Sequence, residues 1–164
     1  MESSAAAASP LSAVQAQFIQ GGVAMVVASS SAQRLPSQAR AVGCSVSSDR
    51  RRVTMLLRRS QCAALLEDIA RSRALAVVFC QPSTHRTLQI KARDAVAQPP
   101  ASVDAAALSR QADGFHRELA PLGYSAEWTR ALLGYAPDDL VAVSFTPLEI
   151  FSQTPGPRAG ERVA

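Results

Sequence analysis

The stretch that decides the fold is Ala39-Arg40-Ala41-Val42-Gly43-Cys44-Ser45-Val46, followed closely by Val53-Thr54-Met55-Leu56-Leu57. Both runs are short and apolar, and Ser47-Ser48-Asp49-Arg50 between them has the polar composition of a hairpin loop. The second run opens into Arg58-Arg59-Ser60-Gln61 and then a helix-like segment, residues 62–73. In that segment Leu65, Leu66 and Ile69 mark an apolar face, and Glu67, Asp68 and Arg71 are predicted to face water. Two further strand-like runs follow, Leu75-Ala76-Val77-Val78-Phe79-Cys80 and Arg86-Thr87-Leu88-Gln89-Ile90-Lys91.

Working outward, Leu11, Val14 and Phe18 recur at helical spacing before a Gly21-Gly22 stop, and residues 23–28 read as a buried strand. The polar residues 29–36 suit a hairpin, so the first half reads as three antiparallel strands in meander order. Gln98-Pro99-Pro100 ends the strand that begins near Arg86. Helices are predicted over 104–119 and, capped by Ser125, through Leu133. Leu140-Val141-Ala142-Val143-Ser144-Phe145 returns to strand and extends toward Ile150-Phe151. The expected organisation is a disordered tail over 1–10, one domain over 11–152 and an irregular C-terminal tail over 153–164. Six strands with hairpin connections favour an antiparallel barrel, since closure removes exposed edges.

The 164 residues, 48% apolar and 18% charged, suffice for one packed core. No apolar run reaches the roughly 20 residues of a membrane span. The acidic, Ala-rich start is a poor secretion signal, so a cytoplasmic location is expected. The net charge of +4 is carried by arginine, with Lys91 the single lysine. Arg34, Arg40, Arg50, Arg51, Arg52, Arg58 and Arg59 face only Asp49 between Ser30 and Leu66, a local excess suited to a small anion. Aromatics at 5% leave few stacking platforms for nucleic acid. Cys44, Cys62 and Cys80 are scattered and read as reduced thiols.

The sequence lacks G-x-G-x-x-G, P-loop and G-x-S-x-G motifs. His85 and His116 have no metal-ligand spacing, although His85 could serve as a haem ligand or proton donor. No pair of acids is arranged for general acid–base work, so redox or group-transfer chemistry would come from a cofactor. The turn Arg58-Arg59-Ser60-Gln61 is the best local candidate for one. Backbone N–H groups and arginine forks there suit a phosphate.

The pattern Arg40-x-Val42, hairpin, Leu57-Arg58-Arg59-Ser60, helix, Ala76-Val77-Val78-Phe79, then His85-Arg86-Thr87-Leu88-Gln89-Ile90-Lys91, resembles the pyridoxamine 5′-phosphate oxidase-like FMN-binding split barrels. The ending Ile150-Phe151-Ser152-Gln153-Thr154-Pro155-Gly156-Pro157 is similar to a bacterial subgroup that is distinct from the true oxidases. The resemblance implies an α+β, six-stranded antiparallel split β-barrel forming a homodimer, with FMN in a cleft between subunits. It also implies a cofactor-binding set of Arg40, Val42, Arg58, Ser60, Gln61, Arg86 and Thr87. Cys62 stands where relatives often carry a lysine, and Thr87 where true oxidases carry a glutamine. The expected activity is that of an FMN-dependent oxidoreductase. The alternative is a non-catalytic module holding flavin or haem for sensing or storage.

Overall fold

Among the described residues the sheet has eight strands rather than the predicted six, all paired antiparallel. The computed structural model describes residues 10–102 and 104–163, so most of the expected N-terminal tail lies outside the described residues. The strands are β1 (Ala24–Ser30), β2 (Pro36–Val46), β3 (Val53–Arg58), β4 (Leu75–Cys80), β5 (Thr87–Ala92), β6 (Val96–Gln98), β7 (Leu140–Phe145) and β8 (Glu149–Ser152). The helices are α1 (Ala13–Ile19), α2 (Ala63–Ser72), α3 (Asp104–Leu119) and α4 (Ala126–Leu133). Two strands escaped the sequence reading for different reasons. β6 has three residues, all exposed, and so shows no alternation. β8 is cut from β7 by Thr146-Pro147-Leu148, where proline cannot donate to a ladder.

The strand order is β6-β7-β3-β2-β1-β4-β5-β8. β5 and β6 lie near opposite margins of this sheet yet are joined by only Arg93-Asp94-Ala95, and β7 and β8 by only Thr146-Pro147-Leu148. Connections that short require the sheet to curl until its margins meet. Asp94 ties the two corners together: its Oδ1 accepts the Thr146 N–H at 2.9 Å, and its Oδ2 lies 3.4 Å from Arg52 Nη1. Nearby, Ala95 N–H donates to the Arg73 carbonyl and Leu148 N–H to that of Lys91.

One apolar cluster fills the barrel, with Met25, Val27, Met55, Val77, Phe79, Ile90, Val143 and Phe145 all buried. Helix α1 closes one end with Phe18 and Ile19, joined by Leu11 just before it, while α2 closes the other with Leu65 and Ile69. Asp68 departs from the expected water-facing position. It is 9% exposed because its carboxylate receives the Ser37 hydroxyl at 2.6 Å and faces Arg71 at 3.8 Å, binding α2 to the start of β2.

A second cluster lies outside the sheet, where Val42, Leu56 and Ala142 meet Leu108, Phe115 and Leu119 of α3 and Leu133 of α4. A bulge at Val42 turns it outward, since Ala41 pairs with Leu57 and Gly43 with Leu56. Helix α3 passes so close that a Cβ on Gly22 would sit 2.2 Å from the Gly114 carbonyl carbon. Gln111 Nε2 anchors the same crossing by donating to the buried Val23 carbonyl at 2.7 Å.

Two outcomes follow from this packing. Gly22→Ala adds a backbone clash to a φ of +83° and should cost about 2–4 kcal/mol in urea unfolding. Gly123→Ala, at φ +92° with open space around it, should lose only about 1–2 kcal/mol. Equal losses at the two positions would refute the close crossing. For Asp94, burial raises the pKa, but the Thr146 hydrogen bonds and Arg52 outweigh it and leave the carboxyl below its ordinary value. A lowered folded pKa means stability present above the unfolded pKa and lost as pH falls through the folded one. Asp94→Ala should therefore cost about 1 kcal/mol at neutral pH, because the Arg52 pair is half-exposed and screened. Its urea midpoint should converge on that of the unsubstituted protein below about pH 4. A gap that stays constant from pH 7 to pH 3 would contradict that role.

Candidate functional site

β3 and β7 are antiparallel neighbours with Arg58 opposite Leu140, so the turn leaving β3 necessarily meets the turn entering β7. The first is the 3₁₀ turn Arg59–Gln61; the second is the 3₁₀ turn Pro137–Asp139. Ser60 donates twice across this junction, from its N–H to Asp139 Oδ1 at 2.8 Å and from its hydroxyl to Oδ2 at 2.6 Å. The Ser60 hydroxyl and N–H, with the Arg58 and Arg59 guanidiniums nearby, hold the Asp139 carboxyl below the usual carboxylate range. The donor set is that of an oxyanion seat, and Asp139 of the same chain fills it. A phosphate therefore does not fit this turn unless Asp139 moves away.

Arg58 is also engaged within the chain. Its Nη1 donates to the Leu132 carbonyl at 3.2 Å and to that of Gly134 at 2.8 Å, satisfying the C-terminal end of α4. Its Nε is buried with no hydrogen-bond partner in the structure. Gln61, the last residue of the turn, is exposed. Cys62 follows it and is 2% exposed, its Sγ donating to the Arg59 carbonyl at 3.7 Å. Burial pushes this thiol up, against the pull of Arg59. Burial likewise raises Cys44 to about 12, so neither is a ready nucleophile.

The remaining candidates sit elsewhere. Arg40 lies half-buried on the outward face of β2, opposite Val26. Val42 is 2% exposed beneath α3, so its side chain offers nothing to a ligand in the chain as it stands. Arg86 and Thr87 begin β5 at the α1 end, whereas Arg58 and Ser60 end β3 at the α2 end. A six-residue strand, about 20 Å, separates the two groups. Thr87 is buried, its hydroxyl donating to the His85 carbonyl at 2.9 Å and its N–H to Thr154 Oγ1 at 3.0 Å. The Arg86 guanidinium stacks 4.4 Å from the centre of the Phe18 ring. It lines a cleft of about 510 Å³ with Leu88, Thr154, Pro155 and Arg158. His85 occupies the hairpin before it, exposed, at φ 61°.

Sequence reasoning did not anticipate two features. One is Asp139: the register that brings it to Ser60 is a long-range pairing with no local signal. A second cavity, of about 570 Å³, is lined by Arg50, Arg110, Arg117 and Gln17. Arg110 and Arg117 stand seven residues apart on α3, a same-face spacing that could have flagged them. Tyr124 and Trp128 pair with each other at 4.6 Å between ring centres. Among the described residues no cluster of three or more His, Cys, Asp or Glu side chains could hold a metal ion. No described helix is long and apolar enough to cross a membrane.

No sequence-family profile matches this chain, and no curated protein matches it significantly. Solved structures do. HupZ of Group A Streptococcus superposes with a TM-score of 0.55 at 10% identity, over 92% of this chain and 100% of that one. A candidate pyridoxamine 5′-phosphate oxidase from Lactobacillus delbrueckii gives 0.52 at 15% identity, over 87% and 93%. An F420 reductase gives 0.53 at 12% identity, over 82% and 93%. At these identities the likeness is one of fold, and the chain has the split-barrel fold of the pyridoxamine 5′-phosphate oxidase-like FMN-binding proteins.

Proposed function

We propose that this chain forms a homodimer that binds a flavin between its two copies and works as an FMN-dependent oxidoreductase. The observation that carries this reading is the outward face of β1, β4, β5 and β8. Val26, Val78, Gln89 and Phe151 stand there in one register row, opposite Arg40 of β2, and all are half-buried without a covering element. Among the described residues no helix packs broadly on β4, β5 or β8. An apolar sheet face left open in this way is suited to a second copy of itself.

The spacing of the candidate residues supports the same reading. Arg58 and Ser60 lie a strand length from Arg86, so one cofactor could meet both groups only if a partner copy supplied one of them. A bound flavin would contribute the electron transfer. The chain's own part would be to orient it with Arg40 and Arg86 and to exclude water from the joint face.

A non-catalytic module holding flavin or haem is the second reading, and one observation favours it. The cleft at Arg86 is lined by Gln, Arg, Ser, Thr and apolar residues, with no histidine or acid to pass a proton.

The test is light scattering coupled to a visible absorption scan, after separate incubations with FMN and haem. The expected result is a dimer that retains a flavin spectrum through gel filtration and is reduced by NAD(P)H. Retained flavin without turnover, or a haem Soret band, would favour the module. Val78→Asp should yield a monomer and weaken flavin retention at least tenfold. A monomeric unsubstituted protein with undiminished flavin binding would overturn the dimer-cleft reading.

A further inference from the structure

From Pro10 to Ser48 the chain carries no acid, and Asp49 is the first to follow. That run builds α1, β1 and β2 and leads into the hairpin at Arg50. Along α1, Ala13, Ala16, Gln17 and Gln20 recur at i, i+3, i+4 and i+7 and so form one face. This face and Gly21 line the cavity of about 570 Å³, which Arg110 and Arg117 of α3 and Arg50 of the hairpin complete. Gln15, on the opposite face, lines the cleft at Arg86, so α1 stands between the two cavities. Arg110 is held in place: its Nη2 donates to the Cys44 carbonyl at 3.2 Å and to Gln20 Oε1 at 3.3 Å. Gln20 and Arg110 also line an adjoining hollow of about 350 Å³, with Ser45, Ser47, Arg52 and Thr54. The Arg50 and Arg117 side chains are exposed and make no hydrogen bond or ion pair among the described residues. No acid lines either space. Nearby, Asp49 accepts the Ser47 hydroxyl and the Arg51 N–H, and Asp94 faces Arg52. Asp113, exposed on α3, makes no ion pair among the described residues.

We propose that this groove between α1, α3 and the β2–β3 hairpin is a docking site for an extended, acidic peptide segment of a partner protein. Charge complementarity selects an anion, because guanidiniums fork onto carboxylates and two of those here are unpaired. Spacing selects a peptide over a compact anion. Arg110 and Arg117 lie seven residues apart on α3, which sets their Cα atoms about 10 Å apart along its axis. A polyproline II segment turns once in three residues and rises about 3.1 Å per residue, so acids three positions apart recur on one side about 9 Å apart. Nucleic acid fits less well, since no aromatic ring lines the groove for a base to stack on. The small side chains of Ala13 and Ala16 and the bare Gly21 leave room for a peptide backbone, and Gln17 offers it an amide. Docking here is independent of the flavin reading, because the groove shares no lining residue with the cleft at Arg86.

The test is fluorescence anisotropy with the full chain and a short labelled peptide bearing a glutamate at every third position. The same peptide with glutamine for glutamate should bind about tenfold more weakly, and one with its glutamates consecutive about threefold more weakly. Arg50→Gly and Arg117→Gln should each weaken binding about threefold and together about tenfold, the size expected of exposed ion pairs. Arg130→Gln removes the same charge from α4 and should change affinity by less than about 1.5-fold. Neither groove variant should lower the urea midpoint, because Arg117 is unpaired and glycine suits the φ of 58° at position 50. Unchanged affinity in the double variant would overturn the proposal. An equal loss in Arg130→Gln would also overturn it, since net charge rather than the groove would then govern binding. So would a single-stranded oligonucleotide of equal charge that binds more tightly than the peptide. Displacement of the peptide by an equal concentration of citrate would do the same, by pointing to a compact anion.

Discussion

The barrel depends on the meeting of two three-residue corners, 93–95 and 146–148, beneath the Asp94 carboxylate. Without that meeting the strand order describes an open sheet with β6 and β8 at its edges. With it, the chain crosses from one margin to the other twice in almost no length, and curvature becomes compulsory. The apolar alternation of β1, β4, β5, β7 and β8 then points inward to a common centre, and α1 and α2 have two openings to fill. A single acid holding one backbone N–H and one guanidinium contributes little energy by itself. Its importance is geometric, because it joins the two connections that every long-range strand pairing presupposes.

Closure divides the outer surface unequally. α3 and α4 cover β2, β3 and β7, and the bulge at Val42 supplies the apolar residue that the second layer needs. The opposite face stays bare and half-apolar. The same division separates the arginines. Arg58 is drawn toward α4 and serves its terminal carbonyls, Arg40 remains on the bare face, and Arg86 stacks on Phe18 at the far end. Residues of one chemical type thus take up a helix-capping, a surface and a stacking role according to where the barrel places them.

What the sequence discloses follows from the range of the forces involved. Strands with apolar alternation, the Ser125 cap and the α2 stripe are local and were legible. The meander of β1, β2 and β3 was legible because hairpin loops connect near neighbours. β6 was not, since three exposed residues carry no period and gain their strand form only from pairing with β7. Asp68 was misread because its acid is satisfied by Ser37, 31 positions away. At the candidate site the polar turn after β3 stood out from its composition. That its donors face an acid of the same chain emerged only from the β3–β7 register.

That register also sets an order on folding. Thr54 and Ser144, whose hydroxyls meet at 2.8 Å across β3 and β7, are 90 positions apart. As the chain leaves the ribosome, β1 to β5 can pair among themselves while the outer edge of β3 waits for β7. An apolar strand with unpaired N–H and C=O groups is a template for association with other chains. Loop closure over so many residues is slow. Synthesis of the last fifth of the protein therefore ends the period in which the nascent chain is most exposed to misassembly.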